Sequence, residues 1–159
     1  MEIERKFVLR DFPGSLRRRA KRVVPIEQYY CRGFRVRKAG KKCFLTVKNG
    51  KGLVRSEWEC AIPAWVFETL RKGALYPPVT KKRHLISHKK RVLEVDIYEG
   101  RLASLLTLEC EFGTRKEAER FELPEWAEGA VEVTGDDSYT NRALAKNGVP
   151  KRARTAGTR

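Results

Sequence analysis

Apolar and polar residues alternate with a period of two along most of this chain, which is the signature of strands with one buried face. The first run, Glu2-Ile3-Glu4-Arg5-Lys6-Phe7, places Glu2, Glu4 and Lys6 on one face and Ile3, Arg5 and Phe7 on the other. Further strand-like runs cover residues 23–30, 33–37, 43–48, 53–62, 79–86, 92–98, 105–112 and 131–134, with Pro25 breaking the second of them early. Residues 38–42 and 89–90 read as turns, and Asn49-Gly50-Lys51-Gly52 is a strong hairpin signal. Four short helices are expected. One is a very basic segment over 16–22, and one starts at Pro63 with Trp65, Val66, Thr69 and Leu70 at helical spacing. A third has the capping box Thr114-Arg115-Lys116-Glu117 and runs to Phe121. The last runs from Asn141 to Asn147, with Gly148 as its stop. Many antiparallel hairpins in one short chain predict a mainly β (α+β) barrel or strongly curved sheet.

The polar face carries the chemistry. Arg35 and Arg37 share a side of their strand, as do Thr46 and Lys48, then Arg55, Glu57 and Glu59. Lys81 and Arg83 follow, then Glu94 and Asp96, Glu109 and Glu111, and finally Glu132 and Thr134. The opposite parity holds Phe34, Val36, Val47, Trp58, Val95, Ile97, Leu108 and Val133. A solvent-facing charged surface of a sandwich would fit the alternation alone. The charges are sorted by strand, however, with basic pairs on some and acidic pairs on others. Amphipathic helices can also cover the apolar face, so that the charged face lines a cavity. Such a cavity is bipartite: carboxylates suit one or two hard divalent cations, and arginine and lysine cradle phosphoryl oxygens.

Length and composition limit the alternatives. The 159 residues fit one domain over 1–150, followed by a basic tail over 151–159 that is expected to be mobile. No apolar run approaches a membrane span and no apolar leader precedes the first strand, so the expected setting is the cytosol. Cys31, Cys43, Cys60 and Cys110 form no CxxC pair and read as reduced thiols within strands. The net charge of +15 points to polyanionic partners, nucleic acid or a phosphate-rich small molecule.

Glu2-x-Glu4-x-Lys6 resembles the ExExK signature of the CYTH superfamily, the triphosphate tunnel metalloenzymes. The resemblance continues in order through Phe34-Arg35-Val36-Arg37, Thr46-Val47-Lys48, Arg55-Ser56-Glu57-Trp58-Glu59, Lys81-Lys82-Arg83, Glu94-Val95-Asp96, Glu109-Cys110-Glu111, Glu132-Val133-Thr134 and residues 139–145. It implies an eight-stranded antiparallel closed tunnel with a charged interior and short helices outside, hydrolysing or cyclising triphosphates with Mg²⁺ or Mn²⁺. It also implies that Lys6, Arg35, Arg37, Lys48, Arg55, Lys81 and Arg83 bind phosphate. Glu2, Glu4, Glu109 and Glu111 become the main metal ligands, with Glu57, Glu59, Glu94 and Asp96 as second-site or supporting carboxylates. Lys6, Tyr30 and Lys81 are the candidate catalytic groups. Tyr30 is either the partner of Lys81 in proton transfer or a residue of the wall. His84 departs from the pattern, an aromatic Tyr being commoner there.

Within that superfamily the chain resembles short bacterial inorganic tripolyphosphatases. A class IV-type adenylate cyclase would need a base-recognition element, and none is evident. A thiamine triphosphatase would want an aromatic platform, but Trp58 is predicted to face away from the ligand positions. The partner expected is tripolyphosphate or a nucleoside triphosphate, with no membrane and no nucleic acid required, in a monomer or homodimer. The rival of another class is a basic nucleic-acid-binding module resting on Arg17-Arg18-Arg19, Lys89-Lys90-Arg91 and the tail. It lacks the interleaved aromatic residues that base stacking uses.

Overall fold

The period-two runs form one antiparallel sheet. The computed structural model describes residues 3–49 and 56–151, and its strands are β1 (Ile3–Val8), β2 (Arg22–Tyr30), β3 (Arg35–Ala39), β4 (Lys42–Asn49), β5 (Ser56–Ile62), β6 (Val79–His88), β7 (Arg91–Tyr98), β8 (Leu106–Phe112) and β9 (Val131–Glu132). Their order is β5-β4-β3-β2-β6-β7-β8-β1-β9. The closed eight-stranded tunnel is therefore corrected. Among the described residues the sheet has nine strands, and β5 and β9 do not pair with each other. β9 has two residues, both opposite β1, and offers too little backbone for a second ladder. The hairpin signal at 49–52 and the start of the run at 53 reach beyond the described residues, but β4 and β5 pair in hairpin register up to Asn49 opposite Ser56.

Pro25 does not break β2. Residues Ile26 to Tyr30 pair with β3, while Arg22 to Gln28 pair with β6. Pro25 lies just past the β3 ladder, and its carbonyl accepts from Gly40 on that side. The missing proline N–H falls where no strand partner waits for it. Gly40, at φ +59, supplies the left-handed turn that returns β3 into β4.

Among the described residues four α-helices occupy the connections: α1 (Gly14–Arg18), α2 (Ala64–Leu70), α3 (Arg115–Glu119) and α4 (Asn141–Asn147). α1 is shorter than the predicted 16–22 because Lys21 and Arg22 are drawn into the ladder with Leu85. The α3 capping box forms as predicted, with Thr114 accepting from the Glu117 amide and Glu117 reaching back to Thr114. α4 is capped by the Thr140 hydroxyl and ends at Gly148.

Apolar residues gather in three clusters. α3 and the turn at 125–127 help to cover Phe7, Leu93, Val95, Leu108 and Phe112. α2 covers Val36, Cys43 and Tyr29 through Phe67. α4 seals one end against Val79, Tyr98, Leu102 and Leu105. Cys31, Cys43, Cys60 and Cys110 are free, as expected. No helix among the described residues is long and apolar enough to cross a membrane.

Candidate active site

The charged face of the sheet encloses a cavity of about 1,120 Å³. Its lining draws on β1 to β8, so the sheet curls around it, and residues 133–142 span the side the sheet leaves open. Glu4, Lys6, Tyr30, Arg35, Arg37, Glu57, Glu59, Lys81, Arg83, Glu94, Glu109 and Glu111 all line it, which joins most of the sequence-predicted site in one place. Glu2 and Arg55 lie outside the described residues, and so does the side chain of Lys48. Asp96 sits behind the wall, fully buried. Glu132 departs from the predicted face. It meets Phe7 across β1–β9 and forms a two-point ion pair with Arg5, at 2.6 and 2.8 Å. A two-residue strand does not carry the alternation to its end, and Thr134 nevertheless reaches the cavity.

One side of the cavity is a dense network of buried ions. The Lys81 Nζ lies 2.6 Å from Asp96 Oδ2, with the two side chains 2% and 0% exposed. Arg83 donates to both oxygens of Asp96 at 2.8 Å and to Glu109 at 3.1 Å, and also pairs with Glu94. Lys6 lies 2.9 Å from Glu109 and donates to the Tyr139 carbonyl at 3.0 Å. Burial alone would raise the Asp96 carboxyl. Lys81 and Arg83 outweigh it and hold Asp96 well below the usual carboxylate range. Glu109 behaves in the same way, with burial opposed by Lys6, Lys81 and Arg83. Glu94 is pushed the other way. Burial and the neighbouring Glu109, Asp96 and Glu111 raise it against the pull of Arg83.

The other side is looser. Arg35 donates to Thr46 at 3.1 Å and lies 3.5 Å from Glu59, and Arg37 lies 3.4 Å from the same carboxylate. Thr46 donates to Glu59 at 2.7 Å. The Nε–H groups of Arg35 and Arg37 are both buried without a hydrogen-bond partner among the described residues. Burial lowers the Arg37 guanidinium pKa, and the like charges of Arg35 and Arg83 add to this. Two crowded guanidinium groups with unmatched donors have the charge and the donor set that a multiply charged oxyanion matches.

A hard cation finds donors of the right kind on the acidic side. Glu4 faces Glu111 across β1–β8, and Glu94 faces Glu109 across β7–β8. Arg83 and Lys6 are bonded among them, and no three such ligands among the described residues converge on one point as placed. The set fits a divalent metal in its chemistry, all carboxylate oxygen.

Some lining residues carried no sequence signal. Gln28 is a neutral amide in a run dominated by larger cues. Asp136 and Asp137 lie beyond the last alternating run, and only the fold brings them to the open side, while Asn141 and Arg142 fall in the 139–145 stretch of the resemblance without a role given to them there. The basic segment Arg17 to Arg19 stands apart at α1 and does not line the cavity.

No protein-family model matches the chain. It is 36% identical over 154 residues to an inorganic triphosphatase of Nitrosomonas europaea, covering 91% of this chain and 96% of that protein. It is 33% identical over 153 residues to an inorganic triphosphatase of Acetivibrio thermocellus, covering 92% of this chain and 94% of the other. A crystal structure of an inorganic triphosphatase superposes with a TM-score of 0.68 at 30% identity, covering 91% of this chain and 94% of that one. With ordered motifs, a charged cavity and full-length relatives in agreement, the chain belongs to the inorganic triphosphatase family of the CYTH, or triphosphate tunnel, superfamily.

Proposed function

We propose that this protein is a divalent-metal-dependent hydrolase that cleaves inorganic tripolyphosphate to pyrophosphate and phosphate in its cavity, with nucleoside triphosphates as slower substrates. The observation that carries this reading is the pair of buried, unbonded Nε–H groups on Arg35 and Arg37, opposite a wall of carboxylates. Buried donors without partners are costly, and a phosphoryl chain supplies several acceptors at once.

In this reading Arg35, Arg37 and Arg83 hold the chain of phosphates, Lys6 and Lys81 add point charge, and Lys48 and Arg55 extend the cradle. Water adds to a terminal phosphorus while the phosphoanhydride bond breaks, and the bridging oxygen leaves with pyrophosphate. Phosphoryl transfer depends mainly on positioning and charge stabilisation, which this lining supplies. Tyr30, on the wall beside Arg35 and Lys81, is the proposed proton-bearing group. Glu2, Glu4, Glu109 and Glu111 are proposed to hold Mg²⁺ or Mn²⁺, with Glu57, Glu59 and Glu94 in support. When bound, the ion neutralises phosphoryl oxygens and acidifies a water. Asp96, behind Lys81 and Arg83, serves as their counter-ion. The same reading takes 1–150 as one tunnel domain with a basic tail over 151–159. It acts in the cytosol as a monomer or homodimer, a setting that suits four free thiols.

The test is phosphate release from tripolyphosphate, ATP and thiamine triphosphate, each with Mg²⁺, Mn²⁺ or EDTA. Tripolyphosphate should be fastest, and EDTA should abolish turnover. Equal rates in EDTA would refute the metal's role. Preference for ATP or thiamine triphosphate would move the substrate assignment to that compound.

A further inference from the structure

Gln28 is the one fully buried neutral amide on the cavity wall among the described residues, 2% exposed. It stands in register with Arg37 on β3 and Val79 on β6. An amide in such a place costs free energy unless its polar atoms are bonded, whereas leucine or methionine would fill the space at no such cost. Its Nε2 donates to the hydroxyl oxygen of Tyr30 at 3.1 Å.

That bond has a direction, and the direction matters. The Tyr30 oxygen accepts from Gln28, so its own proton must go elsewhere. Arg35, Arg37 and Lys81 bear on the same hydroxyl, and all three are donors. Among the described residues no group accepts the Tyr30 proton. Burial raises the Tyr30 hydroxyl pKa while Arg35, Lys81 and Arg37 oppose it, so the proton stays on oxygen at neutral pH. The acceptor the arrangement lacks is an anionic oxygen entering the cavity.

We propose that Gln28 is a positioning residue: its amide N–H occupies the acceptor side of Tyr30 and turns the phenol O–H toward a phosphoryl oxygen of the substrate. The assignment rests on the tripolyphosphatase reading and names the residue that orients its proton-bearing group. A Tyr30 without Gln28 rotates among the surrounding cations and donates in fewer of its orientations. The loss then falls on turnover and leaves binding by the arginines in place.

The experiment compares Gln28→Met, Tyr30→Phe and the double variant with the wild type on tripolyphosphate and Mg²⁺, measuring kcat, KM and the thermal midpoint. Methionine keeps the volume and removes the donor. Gln28→Met should lower kcat about tenfold, the worth of one hydrogen bond, with KM within about twofold. The double variant should be no slower than Tyr30→Phe alone, because Gln28 acts through that hydroxyl. Should Gln28→Met fail to fold, Gln28→Asn withdraws the donor by one methylene with the same expectations. Wild-type kcat in the folded variant, or losses that multiply in the double variant, overturns the proposal and leaves the tripolyphosphatase reading intact. Retention of activity in Gln28→Glu, which can only accept from Tyr30, also overturns it. A wild-type protein that releases no phosphate overturns both.

Discussion

The two sides of the cavity use the same ion pairs to different ends. On the β6–β7–β8–β1 side, Lys81, Arg83 and Lys6 are matched to Asp96 and Glu109 at 2.6 to 3.1 Å, with the Lys81–Asp96 pair fully buried and the others half-buried. On the β3–β4–β5 side, Arg35 and Arg37 share Glu59 at 3.4 to 3.5 Å, with that carboxylate 32% exposed, and keep unbonded N–H groups. The first arrangement matches its charges within the protein, so the groups proposed to meet the ligand there are also part of the scaffold. The second leaves two buried donors unmatched, which is what the proposed ligand would satisfy. Proximity of opposite charges therefore does not by itself distinguish scaffold from binding site, whereas an unmatched buried donor points to a ligand.

This contrast breaks first at Asp96. Asp96→Ala leaves Lys81 and Arg83 as buried cations without their counter-ion, and should destabilise the protein by about 3–5 kcal/mol. Chemical denaturation checks this, and a loss under about 1 kcal/mol would mean that the network is not structural. Next comes Arg37→Met. It should lower kcat/KM for tripolyphosphate by roughly a hundredfold, about two charge-assisted hydrogen bonds. Because burial and Arg35 already disfavour the Arg37 charge, the ligand-free melting temperature should hold or rise. A clear fall in melting temperature would give Arg37 a scaffold role like that of Lys81.

The smallest effect sharpens the acidic side itself. Asp96 and Glu109 have folded pKa values below their unfolded ones. Their contribution to stability is therefore present above the unfolded value near 4 and is lost as pH falls through the lower folded value. Glu94 has a raised folded value, so its ionisation costs stability as pH rises through it. Glu94→Gln should then leave the protein at neutral pH as stable as the wild type or slightly more so. Asp96→Asn should be destabilised there and show a flatter loss in acid. Stability curves from pH 3 to 8 distinguish the two, and parallel curves would remove the distinction.

Strand positions and facing were legible because period-two alternation survives wherever one face is buried. Lys81, Arg83, Glu94 and Glu109 all face the cavity that the alternation predicts. Depth along that face was not legible. Glu94 and Asp96 share a parity, but only the shorter side chain sits behind the wall between a lysine and an arginine. Closure was not legible either. Val131 to Thr134 continues the alternation in sequence, but the strand ends after two residues and its register sets Glu132 opposite Phe7, so that Glu132 turns to Arg5 instead of the cavity. Gln28 was missed because an amide gives neither a charge cue nor an apolar one. Its role follows from which atom it meets, and residue spacing does not encode that.

The Lys6 head group has one more consequence. It is bonded at once to Glu109 on the wall and to the backbone of Tyr139, in the segment that spans the open side. An ammonium has three protons; Glu109 and the Tyr139 carbonyl take two, which leaves the third for an oxygen atom entering the cavity. A ligand oxygen that took it would be tied through one ammonium to the wall and to the segment across the opening at once.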